Sequence, residues 1–319
     1  MKEIHVAYCA DNGYAPYLGV SLASILLNAG IDEKLHIYIV TSGITAENRE
    51  KIASLKRIKD FSLCFFEPNL ELLEGFRLKK GCAAEMFYRL LLPEILSTLD
   101  TVIYLDCDVI VRRSLAELLA YDVSNACLAA VPDLIDYLPF SSCTHKRRLH
   151  GDTDFSYFNS GVMLLNLERM QREDLFRRCM SWLEKNADRA RYCDQDGLNA
   201  CLLGDFVRLH PKWNVQTPMY WPGVIRNLKK RTDTRSALSD PAIVHFTTGE
   251  KPGGAYSLCP WGDLFERYLL HTPWKDSPVF NNPVPNGVVM SARRLLRWIK
   301  LRLLWIGGIV FSWCCRKRN

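Results

Sequence analysis

An α/β fold with a mostly parallel central sheet is what this 319-residue chain predicts, on three observations. Short β-branched runs alternate with helix-period segments through the first half. One of those runs, residues 101–105 (TVIYL), is apolar without alternation, the pattern of a strand buried on both faces. That run leads directly into two carboxylates, Asp106 and Asp108. Strand–helix alternation gives parallel strands joined by right-handed crossovers, and such sheets bind ligands beyond the strands' carboxyl ends.

Taken in order, residues 3–9 read as a strand and 15–28 as an apolar-periodic helix stopped at Gly30. Residues 35–41 form a second strand, and Thr45 caps a helix running to about residue 58. A strand at 61–66 and a helix at 84–96 precede the central strand. Strands follow at 126–131 and 161–166, then one long amphipathic helix at 168–185. After Asp205 the texture changes to HPKWNVQTPMYWPG, expected as ordered loop packed on the sheet. A short strand at 242–246 and a helix at 261–270 complete the body, and TPWKDSPVFNNPVPNG reads as a proline-rich linker. The predicted organisation is one main α/β domain over 1–275, a linker over 276–290 and a separate tail over 291–319.

The net charge of +6 belongs to that tail. Arg293, Arg294, Arg297, Lys300, Arg302, Arg316, Lys317 and Arg318 lie there without an acid, and the remainder holds 33 basic against 35 acidic residues. Nothing in the body argues for nucleic acid as a partner. Leu295, Leu296, Ile299, Leu303, Ile306 and Val310 share one helical arc opposite Arg293, Arg294, Arg297 and Lys300, though not Arg302, as in a helix lying on an anionic membrane surface. Its charge-free stretch, 303–315, is about half the ~20 residues a span needs. The twelve cysteines are scattered without paired CxxC clusters, which predicts reduced thiols rather than zinc ligands or a disulfide framework. MKEIHVAYCADNG begins with a strand and a turn and has no signal-peptide core, so a cytoplasmic protein, peripheral at the inner membrane, is expected.

The chemistry gathers at strand ends. In extended chain, residues i and i+2 point the same way, so Asp106 and Asp108 face one spot. Two such carboxylates repel unless a cation neutralises them, and hard oxygen ligands suit Mg²⁺ or Mn²⁺. Asp11, Asn12 and Tyr14 follow the first strand, where a base and ribose would sit; the same Asp-Asn-Gly is also good turn chemistry. His245 ends the last strand and Lys251 follows, a third ligand and a phosphate-neutralising cation, or else a surface histidine in a loop. Asn159 precedes a strand, and Asp194, Gln195 and Asp196 open a helix, where they hold sugar hydroxyls or simply cap the helix. For Asp196 the capping role is preferred. Arg89 stands among apolar neighbours and must snorkel or reach an anion.

The stretches VAYCADNGYAPYLGVSLASIL, FYRLLLPEIL, VIYLDCDVIV, FNSGVMLLNL, CDQDGLN and VHFTTGEKP, ending in TPW, occur in the order found in one family. The chain resembles the retaining glycosyltransferases of family eight, especially bacterial lipopolysaccharide and lipooligosaccharide galactosyl- and glucosyltransferases. The resemblance implies a GT-A fold, a UDP-galactose or UDP-glucose donor, Mn²⁺ and a lipid-linked oligosaccharide acceptor. It implies that Asp106, Asp108 and His245 hold the metal, that Asp11 and Tyr14 form the uridine site beside Asn12, and that Lys251 contacts the diphosphate. Arg89, Asn159, Asp194 and Gln195 match donor-sugar positions, and Asp133 a position near the transferred hexose and acceptor. Thr248 and Gly249 after the histidine, and Gly253-Gly254 where the family has tryptophan, depart from the pattern in the loop over diphosphate and acceptor. Two rivals use the same residues: a nucleotidyltransferase, disfavoured because CADNGYAP lacks a basic Gly-rich loop, and a non-catalytic sugar binder, disfavoured because the metal set is whole.

Overall fold

The computed structural model describes residues 1–73, 84–137, 139–151, 154–247, 251–252 and 260–280. Its main sheet has strands β1 (Lys2–Cys9), β2 (Glu33–Val40), β3 (Phe61–Phe66), β4 (Thr101–Leu105), β6 (Leu128–Pro132), β7 (Phe158–Asn166) and β8 (Val207–Arg208). Their order is β3-β2-β1-β4-β7-β6-β8, and β7 alone runs antiparallel to its neighbours. A small second sheet, β5 (Val109–Val111), β10 (Ile243–His245) and β9 (Val215–Gln216), has β10 in its middle. The predicted α/β, mostly parallel architecture is therefore present.

Period-two alternation sorts the strand residues into two apolar layers. Ile103 and Leu105 of β4 join Val6 and Tyr8 of β1 on the face covered by the helix Ala15–Asn28. Val102 and Tyr104 face the opposite layer with Ala7, Phe87, Met163 and Leu198. Both faces are buried, which is why residues 101–105 carry no polar alternation.

Four local readings change. Residues 84–96 are not one α-helix: Ala84–Leu91 is a 3-10 run and the α turn restarts at Leu92–Ile95. Pro93 has no N–H to continue a helix, so it sits in a first turn. The single helix expected over 168–185 is two, Leu167–Arg172 and Leu175–Lys185, separated where Asp174 takes a left-handed φ of 48°. Between Asp205 and the last strand the chain also forms the helices Pro222–Leu228 and Thr232–Ser239. The start of the proline-rich stretch is docked rather than free: Thr272, Trp274 and Phe280 are buried, Trp274 and Phe280 in the core. Residues 281–319, with the rest of the linker and the tail, lie outside the described residues, as do Thr248, Gly249, Gly253 and Gly254.

The cysteines also differ from expectation. Cys9, Cys64, Cys107, Cys127, Cys179 and Cys201 are free, but Cys193 is disulfide-bonded. Spacing along the chain does not show which thiols the fold brings together.

Candidate active site

β4 delivers Asp106, and the chain turns through Cys107 and Asp108 into β5. The turn replaces the expected extended geometry, yet the carboxylates still converge. The link is β10, which pairs with β5 so that His245 lies opposite Val109. His245 Nε2 is 3.6 Å from Asp106 Oδ2 and 3.3 Å from Asp108 Oδ1. One ligand atom from each of the three residues lies within 4.8 Å of the others, a group that could hold a metal ion.

Two neighbours that sequence reasoning did not single out for this site shape it. Asn214 Oδ1 is 3.0 Å from His245 Nδ1, an amide oxygen that accepts a hydrogen bond from that nitrogen and turns Nε2 toward the acids. The backbone of β7 crosses immediately behind: a Cβ on Gly161 would lie 2.2 Å from His245 Cε1 and 2.6 Å from Asp106 Oδ2. Only glycine fits that close approach. Hydrophobic periodicity cannot reveal either contact; the signal available was the polar and glycine run FNSG that opens β7.

The charges are matched around this group. Lys251 Nζ bonds Asp108 Oδ2 and donates to the Phe246 carbonyl at 2.5 Å. Burial disfavours the Asp108 carboxylate, but His245 and Lys251 outweigh it and hold its pKa well below the usual range. Arg89 is buried, so it does not snorkel. It bridges Asp106 Oδ1 at 3.0 Å and Asp194 Oδ2 at 3.1 Å, donates to the Ser160 carbonyl at 2.9 Å and stacks on Tyr104 at 4.5 Å. Asp194 is pushed up to about 6, by burial first, with Arg89 opposing and Asp106 adding to the rise.

A second network fixes Gln195. Its Oε1 accepts from Asn159 Nδ2 at 3.2 Å, Ser160 N at 3.0 Å and Ser160 Oγ at 3.3 Å. Its Nε2 donates to Asp133 Oδ2 at 3.3 Å and to the Tyr157 hydroxyl at 3.1 Å. Asn159 also donates to Asp133 at 2.9 Å, and burial raises the Asp133 pKa despite these bonds. Asp196 is fully buried and accepts from Tyr157, His145 and the backbone N–H groups of Arg191 and Tyr192. It is a first-turn acid of the helix Cys193–Leu202, as preferred for it from sequence, but its bonds hold the segment before the helix rather than capping it.

A cleft of about 1000 Å³ brings Asp11, Tyr14, Arg89, Asp106, Asp108, Asp133, Asn159, Asp194, Gln195, His245 and Lys251 together. Asn12 does not line it: its side-chain oxygen accepts from Thr45 and Asn48 and ties the end of β1 to the start of the helix Ala46–Ala53, which follows β2. An asparagine after a strand is good turn chemistry, and here that use wins.

The sequence profile of glycosyl transferase family 8 matches residues 5–254. General stress protein A of Bacillus subtilis (strain 168) is 27% identical over 293 residues, spanning 89% of this chain and 98% of that protein. A lipopolysaccharide 1,2-glucosyltransferase of Escherichia coli (strain K12) is 25% identical over 317 residues, spanning 98% and 91%. Among solved structures, the galactosyltransferase LgtC, determined with donor and acceptor sugar analogues, superposes with a TM-score of 0.73 at 27% identity, covering 86% of this chain and 99% of LgtC. Strand order, the carboxylates at the end of β4 and the match over most of the length agree: this chain belongs to glycosyl transferase family 8 and is a glycosyltransferase.

Proposed function

We propose that the protein is a retaining, Mn²⁺-dependent hexosyltransferase that moves galactose or glucose from a UDP-sugar to an oligosaccharide acceptor in lipopolysaccharide synthesis. The observation that carries this is the convergence of Asp106, Asp108 and His245 at one end of an acid-rich cleft, with Lys251 beside them. The donor set fits the ion: two hard carboxylates and an imidazole held through Nδ1 by Asn214, with Nε2 directed at the acids where a metal would replace its proton. Bound there, Mn²⁺ or Mg²⁺ supplies Lewis-acid neutralisation of a diphosphate leaving group.

The remaining roles fall to this chain's residues. Lys251 sits where it can pair with a phosphate oxygen, exchanging Asp108 for it. Tyr14, partly exposed on the cleft, offers a ring for the uracil, and Asp11 an acceptor for its ribose. Asp194, Asn159 and Arg89 orient the hexose, and Asp133 faces the incoming hydroxyl. Gln195 Oε1 already accepts from three donors, which makes it a poor nucleophile. The reading that follows is front-face attack. The bond from the anomeric carbon to phosphate breaks, the acceptor oxygen bonds on the same face, and its proton passes to the departing phosphate oxygen. A stable glycosyl adduct on Gln195 would contradict this step.

A screen of UDP-hexoses with Mn²⁺, scoring hydrolysis without acceptor, tests the reaction class: release of UDP and free hexose is expected, and release of pyrophosphate or binding without turnover is not. The nucleotidyltransferase and the non-catalytic binder have no observation in their favour beside membership of a glycosyltransferase family.

The basic tail, 291–319, is proposed to hold the enzyme on an anionic cytoplasmic membrane surface. Among the described residues no helix is long and apolar enough to cross a membrane. Removing 291–319 is expected to shift the protein from the lipid pellet to the supernatant with donor hydrolysis retained; continued pelleting contradicts it.

A further inference from the structure

The cleft is electrically divided. Its floor carries Asp106, Asp108, Asp133 and Asp194, and the cations there, Arg89 and Lys251, are engaged by those acids. At the rim two further guanidinium groups, Arg148 and Arg191, line the same cleft, and neither forms an ion pair among the described residues. Both are exposed.

These arginines are held on a rigid wall. Asp196 accepts from the backbone N–H groups of Arg191 at 2.5 Å and Tyr192 at 2.8 Å, which fixes the turn that presents both side chains. The same carboxylate accepts from His145 at 2.8 Å, and the His145 ring packs edge-on against Tyr192 at 5.2 Å. Arg148 lies three residues beyond His145 on the helix Pro139–His150, so the two share a face. Arg148 also donates to the Asp188 carbonyl. Tyr192 and Trp221, 48% and 41% exposed, add two ring faces to the same cleft. Exposed aromatic rings take the apolar C–H faces of a pyranose, and paired guanidinium groups take a planar or tetrahedral oxyanion.

We propose that Arg148 and Arg191, flanked by Tyr192 and Trp221, form a subsite for an anionic substituent, phosphate or carboxylate, on the acceptor saccharide. The inference rests on the reading that this cleft accepts a sugar. Its physical consequence is orientation: an anionic handle is repelled by the acidic floor and attracted to the rim, so a neutral hydroxyl of the same saccharide is turned toward Asp133 and Gln195.

The test uses the full chain saturated with UDP and Mn²⁺, titrated with glucose 6-phosphate, glucuronate and glucose, with binding read by saturation-transfer NMR. Two exposed charge contacts predict that the anionic sugars bind about tenfold tighter than glucose at low salt. Arg148→Gln/Arg191→Gln should abolish the difference, and Arg148→Lys/Arg191→Lys should retain part of it. A preference for one anion identifies phosphate or carboxylate as the group recognised. Equal binding of all three sugars, or a preference that survives the double glutamine variant, overturns the proposal. A loss of UDP affinity in that variant also overturns it, because the arginines would then serve the donor. Donor hydrolysis, measured in parallel, should be unchanged. If the wild-type protein hydrolyses no UDP-hexose while the arginine-dependent binding persists, the transfer reaction falls and the subsite stands.

Discussion

Gly161 shows how little room the metal group has. A methyl group there would overlap both His245 and Asp106, so Gly161→Ala is expected to cut Mn²⁺ affinity by at least about tenfold with the sheet intact, read by electron paramagnetic resonance titration and far-ultraviolet circular dichroism. Asn214→Leu acts by releasing the His245 ring from its hydrogen bond, and should cost ~10–100-fold in the same titration. Asp194 offers a pH signature. Its carboxyl should titrate near 6 in the donor-free protein. Because the folded value lies above the usual carboxylate value, the proton favours the folded state at low pH. That stabilisation is lost as pH rises through about 6, on the order of 3 kcal/mol at most. Asp194→Asn should flatten the dependence of melting temperature on pH between 4 and 7. At this scale the sequence was informative wherever a residue type has one strong use: paired aspartates after a buried strand, a histidine at a strand end. It was silent on Asn214 and Tyr157, whose roles come from contacts across 31 and 39 residues. It misled at Asn12, where site chemistry and turn chemistry look identical.

At the scale of elements, periodicity located the longer strands of the main sheet and several helices, but not the helices Pro139–His150, Pro222–Leu228 and Thr232–Ser239 or the interruptions of those it found. The stretch 168–185 keeps one amphipathic pattern through a break, because Asp174 tolerates a left-handed backbone and no glycine or proline marks it. Residues 84–91 read as α-helical because 3-10 and α turns share the i, i+3 contact. The tighter winding is where Arg89 leaves the helix face and reaches Asp106 and Asp194. The docked segment at 272–280 was read as linker because proline and asparagine surround Trp274. In the fold, Trp274 lies on the helix Ala15–Asn28 so closely that a Cβ on Gly19 would meet its ring at 2.2 Å. Trp274→Ala should therefore destabilise the protein by about 3–5 kcal/mol, measured by urea unfolding. A free linker would give no change.

Across the whole molecule, the mostly parallel sheet brings the named site residues, Asp11 to Lys251, from seven separate stretches to one cleft. That gathering was legible in part because strand–helix alternation places the parallel strands' carboxyl ends on one side; Asn159 and Gly161 join them from the amino end of antiparallel β7. The second sheet was not legible as a sheet, since β5, β9 and β10 are two or three residues each, yet it is what carries His245 to the acids. The account stands on a divalent cation held by Asp106, Asp108 and His245. The most direct measurement is the rate of UDP-hexose hydrolysis by wild type and a folded Asp108→Asn variant, with Mn²⁺ and after chelation. A fall of about a hundredfold or more on chelation, and an equally slow variant that added Mn²⁺ does not restore, is the expected result. Full-speed turnover by either the chelated enzyme or the variant would contradict the account.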